Sequence, residues 1–179
     1  MHPWKHFRTI TRHRHLVMLN CFRVGLIRQG LCHDLSKYSP TEFRVGAKYY
    51  VGIKSPNVGE RNDIGWSTAW MHHKGRNRHH FEYWTDLSPV THRYEAVPMP
   101  DRYVAEMVMD RIAACKVYKG KAYTQSSALD YLETSMEKDQ MHPQTYETLH
   151  FLLTMLRDQG EKETFRYIRR EFLHKKREC

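Results

Sequence analysis

The 179-residue sequence has no apolar stretch approaching the roughly 20 residues that cross a bilayer, so a membrane partner is not expected. The first ten residues carry Lys5, His6 and Arg8 and lack a continuous apolar segment, so they do not read as a secretory leader. The compartment expected on that basis is the cytoplasm, of a bacterial cell or of a phage-infected host. Cysteine is sparse and scattered: Cys21, Cys32, Cys115 and Cys179 form no CxxC pair. That spacing excludes a zinc ribbon and a disulfide framework and leaves free thiols. No internal repeat and no low-complexity tract is present. Alternation of apolar and polar residues is also missing over any useful length, so little or no sheet is expected.

What remains is helical patterning. Ile10, Val17, Cys21 and Val24 recur at helical steps between Trp4 and about Gly25. A second helix is expected from Leu31 to about Tyr38. Ser39 is a good N-cap, Pro40 suits the first turn and Glu42 follows three residues after the cap, so a third helix should run to about Val51. "GIKSPNVGERNDIG" reads as a loop. Short helices are expected at Ser67 to His73 and His79 to Trp84, with "KGRN" between them, and "LSPVTHRYEAVPMP" reads as a second loop. Longer helices follow at Asp101 to Tyr118, Ser127 to Lys138 and Pro143 to Asp158. A basic helix is expected from Glu161 to Lys176, within a basic tail spanning 161–179. The fold class is therefore all-α, one helical domain covering residues 1–179.

Lysine and arginine outnumber aspartate and glutamate, for a net charge of +9 with histidine neutral. That excess favours anionic partners without choosing among nucleotides, phosphate esters and nucleic acid. The chain also holds 13 histidines, several in pairs.

His33-Asp34 lies among Leu31, Cys32 and Leu35. A carboxylate in apolar surroundings needs a cation or a partner. A divalent metal meets that need; the alternative is a helix cap or a pair with Lys37. His13 falls on the apolar stripe of the first helix, three residues after Ile10 and four before Val17. His15 is the other candidate there, and His13 is preferred as a ligand. "AWMHHKGRNRHHFEYW" contains His72-His73 and His79-His80. Imidazole is the commonest nitrogen ligand for transition metals, and adjacent histidines on a helix point apart, so one of each pair should reach a given ion. His73 and His80 are assigned to metal, His72 and His79 to substrate. The alternative is a histidine-rich surface loop, against which Trp70, Phe81, Tyr83 and Trp84 argue. Asp110 shares a helical seam with Tyr103, Met107, Ala114 and Val117, and Glu106 lies one turn earlier on the same side. A surface ion pair with Arg102 or Arg111 is the competing reading of Asp110.

Taken in order, His13, His33-Asp34, the histidine pairs and Asp110 resemble the H…HD…H…H…D pattern of the HD-domain superfamily of helical metal-dependent phosphohydrolases. "HDLSKYSPTEF", "AWMHHKGRNRHHFEYW" and "MPDRYVAEMVMDR" together resemble a small family of bacterial and phage proteins, up to about Gly160, which brings no established activity. The HD resemblance implies an HD-type helical bundle holding one or two divalent ions (iron, manganese, zinc, cobalt or nickel) on His13, His33, Asp34, His73, His80 and Asp110. It implies hydrolysis of a small phosphorylated substrate, a nucleotide or other phosphate ester, by metal-activated water. Asp34 and Lys37 are the expected catalytic residues. Lys37, Arg76, Asn77 and Arg78, with His72 and His79, are expected to bind substrate. Two other functions compete: a diiron oxygenase on the same fold, and a non-catalytic nucleotide- or nucleic-acid-binding protein using "RYIRREFLHKKREC". The bland reading of that last segment is a solvated helix packing Phe165, Ile168 and Phe172 inward.

Overall fold

A computed structural model describes residues 1–174; Lys175–Cys179, including the expected end of the basic helix at Lys176, lie outside the described residues. Among the described residues, eight α-helices and one small hairpin make up an all-α domain with a single buried apolar cluster. Among the described residues no helix is long and apolar enough to cross a membrane.

Helix α1 (Pro3–Arg23) starts on a proline and buries His6, Ile10, His13, Val17 and Cys21, a stripe at three- and four-residue spacing. Its partner is α6 (Asp101–Lys119), in which every residue from Val104 to Met109 is buried. A helix buried on all sides is the centre of a bundle. The next helices in order are α2 (Ile27–Cys32), α3 (Pro40–Lys48), α4 (Pro56–Ile64) and α5 (Thr68–Lys74). Strands β1 (Thr85–Leu87) and β2 (Tyr94–Ala96) form an antiparallel hairpin; β1 begins two residues before the segment expected to be loop and β2 lies inside it.

The far side of α6 is covered by α7 (Ser127–Thr134) and α8 (Pro143–Arg170). Leu149, Leu152, Leu153 and Leu156 of α8 are fully buried. The helix breaks at Gly160, whose φ of 76° and ψ of 172° suit glycine alone, so two helical runs meet there as the sequence suggests. Beyond the break, Phe165, Ile168 and Phe172 enter the core cluster. At roughly 1.5–3 kcal/mol for each buried apolar side chain, their burial commits this basic segment to the core.

Several expectations need correction. The helix expected at His79 to Trp84 is only a 3-10 turn over Phe81–Tyr83, and the one expected from Ser127 to Lys138 ends at Thr134. The loop expected at 52–65 contains α4, because Ser55 caps it, Pro56 opens it and Gly65, at φ 87°, closes it in the left-handed conformation. These residues punctuate a helix there. Helix α3 stops at Lys48, three residues before Val51. His33 and Asp34 do not sit inside a helix. Helix α2 ends at Cys32, a 3-10 turn spans Leu35–Tyr38, and Asp34 joins them at φ 55° and ψ 23°. A buried, non-glycine residue in that region is uncommon, and such strain gathers at functional sites.

Candidate metal centre

Four separate parts of the chain deliver the histidines. His13 comes from α1, His33 and Asp34 from the turn after α2, and His73 from the last turn of α5. His79 and His80 follow the break after Gly75, and Asp110 comes from α6. Ser67 caps α5 by accepting from the Trp70 N–H, and the buried Glu60 carboxylate accepts from Ser67, Thr68 and the Ala69 N–H. That fixed start aims His73 inward.

Two groups of potential ligands share Asp34. His13, His33, Asp34 and Asp110 form one; Asp34, His73, His79 and His80 form the other; in each, one atom per residue lies within 4.8 Å of all the rest. Asp34 presents a different oxygen to each. Oδ2 faces His33 Nε2 at 3.3 Å and His13 Nε2 at 3.5 Å. Oδ1 faces His73 Nε2 at 3.3 Å and His79 Nε2 at 3.6 Å. Asp110 Oδ1 lies 2.9 Å from His13 Nε2 and 3.3 Å from His33 Nε2. The Nε2 atoms of His73 and His80 face each other at 2.9 Å.

Apart from the His73–His80 contact, these approaches are not hydrogen bonds. Nε2 of His13, His33 and His79 and Oδ1 of Asp34 are all buried without a hydrogen-bond partner. One orphaned buried acceptor costs about 1–3 kcal/mol, so four directed at one region need a common cation or protons. The donor set of imidazoles and carboxylates fits a first-row transition ion.

The opposite edges of the rings are held by two further carboxylates. His33 Nδ1 donates to Glu106 Oε1 at 2.9 Å, and His79 Nδ1 lies 3.3 Å from the same oxygen. His73 Nδ1 donates to Glu42 Oε2 at 2.8 Å. A carboxylate on Nδ1 fixes the tautomer that leaves Nε2 with its lone pair, and it raises ligand basicity. Glu42 was expected only as a capping residue. Ser39 does accept from the Glu42 N–H, but the carboxylate is spent on His72 and His73. Its only sequence signal was a charge on a helix face that also carries apolar residues.

Charge states follow from burial and neighbours. Burial works against ionised Asp34 and Asp110, yet surrounding imidazoles and Lys37 hold Asp34, and His13 and His33 hold Asp110, well below the usual carboxylate range. Burial pushes His80 well below its ordinary value, with His79 and His73 adding to the effect. His73 is also lowered, mainly by burial. Burial opposes a charged His33, but Asp34, Asp110 and Glu106 outweigh it and raise its pKa well above the ordinary value. A proton and a metal ion therefore compete for His33, while His73 and His80 are ready as neutral donors.

The sequence-expected ligands His13, His33, Asp34, His73, His80 and Asp110 are all brought together. His15 is exposed on the other face of α1. His79, expected at the substrate, joins the ligand groups, because the break at Gly75 frees both members of its pair from helical geometry. His72 lies outside the groups and bonds Glu42 Oε1 at 2.6 Å. Asn77 is buried and structural: its amide donates to Ser36 Oγ and the His73 carbonyl, each at 2.8 Å. Arg76 and Arg78 are exposed, the former on the His72 carbonyl, the latter beside Tyr103 and Tyr83. The turn that carries Asn77 and His79 inward carries these two arginines outward, contrary to their expected substrate role.

A cavity of about 930 Å³ opens onto the cluster. His13, Lys37, His73, His80 and Asp110 line it, and its other cations are Lys54, Arg61, Lys74, Arg111 and Lys119. Lys37 Nζ donates to Asp34 Oδ2 at 2.5 Å. No curated protein and no solved structure matches the chain. A family model does match, over residues 2–155, a span that holds every residue of the ligand groups, and the chain belongs to that family, described as Family of unknown function (DUF5662).

Proposed function

We propose that the chain is a metal-dependent phosphohydrolase acting on a small phosphorylated substrate in the cavity. One observation carries the reading: Asp34 offers its two carboxylate oxygens to two adjacent ligand groups, in which Nε2 of His13, His33 and His79 and Oδ1 of Asp34 itself are buried without a hydrogen-bond partner. His13, His33 and Asp110 would hold one ion, His73, His79 and His80 a second, with Asp34 between them. Bound there, such ions polarise a phosphoryl oxygen and make a water acidic enough to supply hydroxide near neutral pH.

The chain's own residues do the rest. Glu106 and Glu42 keep His33, His79 and His73 oriented by accepting at their Nδ1 edges. Lys37 lies at the cavity edge of the cluster, where its ammonium can move from Asp34 to a phosphate oxygen and offset developing charge. The mainly apolar turn of α6 behind Asp110 excludes water from the back of the site. The sequence resemblance to the HD superfamily agrees with this reading.

The test is metal content and turnover together. The purified protein is expected to carry one or two transition ions per chain and to release phosphate from phosphate esters when supplied with manganese or iron. His33→Ala and Asp34→Ala should lose both. Unchanged metal content in both variants would defeat the assignment. Iron with oxygen uptake and no phosphate release would replace hydrolysis by oxidation.

A further inference from the structure

One polar group on the cavity wall is used neither by the ligand cluster nor by the core. Arg111 follows Asp110 directly on α6, and its Nη2 donates to Glu137 Oε2 at 2.7 Å. Its guanidinium also lies 5.9 Å from the centre of the Tyr131 ring. Glu82 comes from the 3-10 turn that follows the second histidine pair. Arg111, Glu82, Glu137 and Tyr131 all line the cavity. Arg111 Nε and Nη1 and Glu82 Oε2 are buried without hydrogen-bond partners. Two unsatisfied donors and one unsatisfied acceptor on one cavity wall call for a ligand that supplies the complements.

The charge balance says what kind. Glu137 already pairs with Arg111 and matches its charge. A phosphate is thus better served at Lys37, and the Arg111 wall suits a neutral group. We propose that Arg111 and Glu82 form a recognition subsite for the organic part of the phosphate ester, a neutral group with hydrogen-bond acceptors and donors on adjacent atoms. Vicinal hydroxyls of a sugar and the amide edge of a base share that chemistry. The proposal rests on the phosphohydrolase reading above. A site built to pair with such groups rejects ligands that lack them, because its own polar atoms are then left buried and unpaired.

The experiment uses the full-length, manganese-loaded protein with a hexose 6-phosphate, a nucleoside 5′-monophosphate and phenyl phosphate. At least one polar ester should exceed phenyl phosphate by about tenfold or more in kcat/KM. Glu82→Gln, and separately Arg111→Met combined with Glu137→Met to keep charge balanced, should remove about tenfold of that advantage, through KM rather than kcat. Phenyl phosphate turnover and metal content should stay unchanged. Equal losses on phenyl phosphate, or none on either polar ester, overturn the subsite; if the double variant does not fold, Glu82→Gln alone decides. Calorimetric titration with the same esters separates the two claims. Weaker binding of a polar ester to Glu82→Gln, with no ester hydrolysed by the parent protein, supports the subsite and sinks hydrolysis. Equal binding by parent and variant sinks the subsite whatever the turnover.

Discussion

Replacing Glu106 by glutamine removes the carboxylate that holds two histidines without replacing any proposed ligand of the Asp34 groups. Glu106 is buried, accepts from His33 Nδ1 at 2.9 Å and from Gln29 Nε2 at 3.1 Å, and lies 3.3 Å from His79 Nδ1. Burial alone would raise its pKa, but the bonds and charges of His33 and His79 prevail and hold it down from 4.5 to about 2. That difference corresponds to about 3 kcal/mol favouring the ionised carboxylate in the folded protein. Because the folded-state value lies below the unfolded one, this stability is complete above about pH 4.5 and fades as pH falls through about 2. Metal-free Glu106→Gln should therefore be less stable than the parent by about 1–3 kcal/mol at neutral pH, and the gap should narrow on acidification. Loss of a carboxylate behind a metal-bound histidine typically weakens affinity about 10–100-fold. Urea denaturation across pH and competition with a chelator of known affinity measure the two effects. A variant that binds metal within about threefold of the parent, with a pH-independent stability gap, would refute the orienting role given to Glu106.

Other expectations follow from particular contacts. Asp34→Asn tolerates the left-handed backbone but lacks the charge shared by both ligand groups, so metal content should fall below about one-tenth of the parent's with the circular dichroism spectrum unchanged. A Cβ added at Gly46 would sit 2.1 Å from His6 Nε2, where α1 crosses α3, so Gly46→Ala should cost about 1–3 kcal/mol in urea denaturation and His6→Ala should recover part of it. Gly160→Ala meets no atom within 4 Å, so its expected loss of about 1–3 kcal/mol tests backbone strain alone, and metal content should not change.

The sequence by itself determined the helical class and most of the ligand cast. Periodicity marks α1, α6 and α8 because a buried stripe must recur with the helical turn. The same rule favoured His13, which shares the stripe of Ile10 and Val17, but left His15 open as the alternative; the buried face of α1 decided between them. The existence of α4 was obscured by its glycine, asparagine and proline, residues whose meaning depends on whether they interrupt a helix or cap it. What only the tertiary structure decided is orientation. Whether Asp34 lies within a helix or on a left-handed turn, and whether His79 faces metal or substrate, depends on where α2 and α5 end. Glu42 becomes a partner of His73 because α3 packs on α5, and Arg76 turns outward because Asn77 turns in. A local pattern encodes which face of a segment is buried; which side chains meet across segments far apart in the chain is set by packing, because those contacts have no period in the sequence.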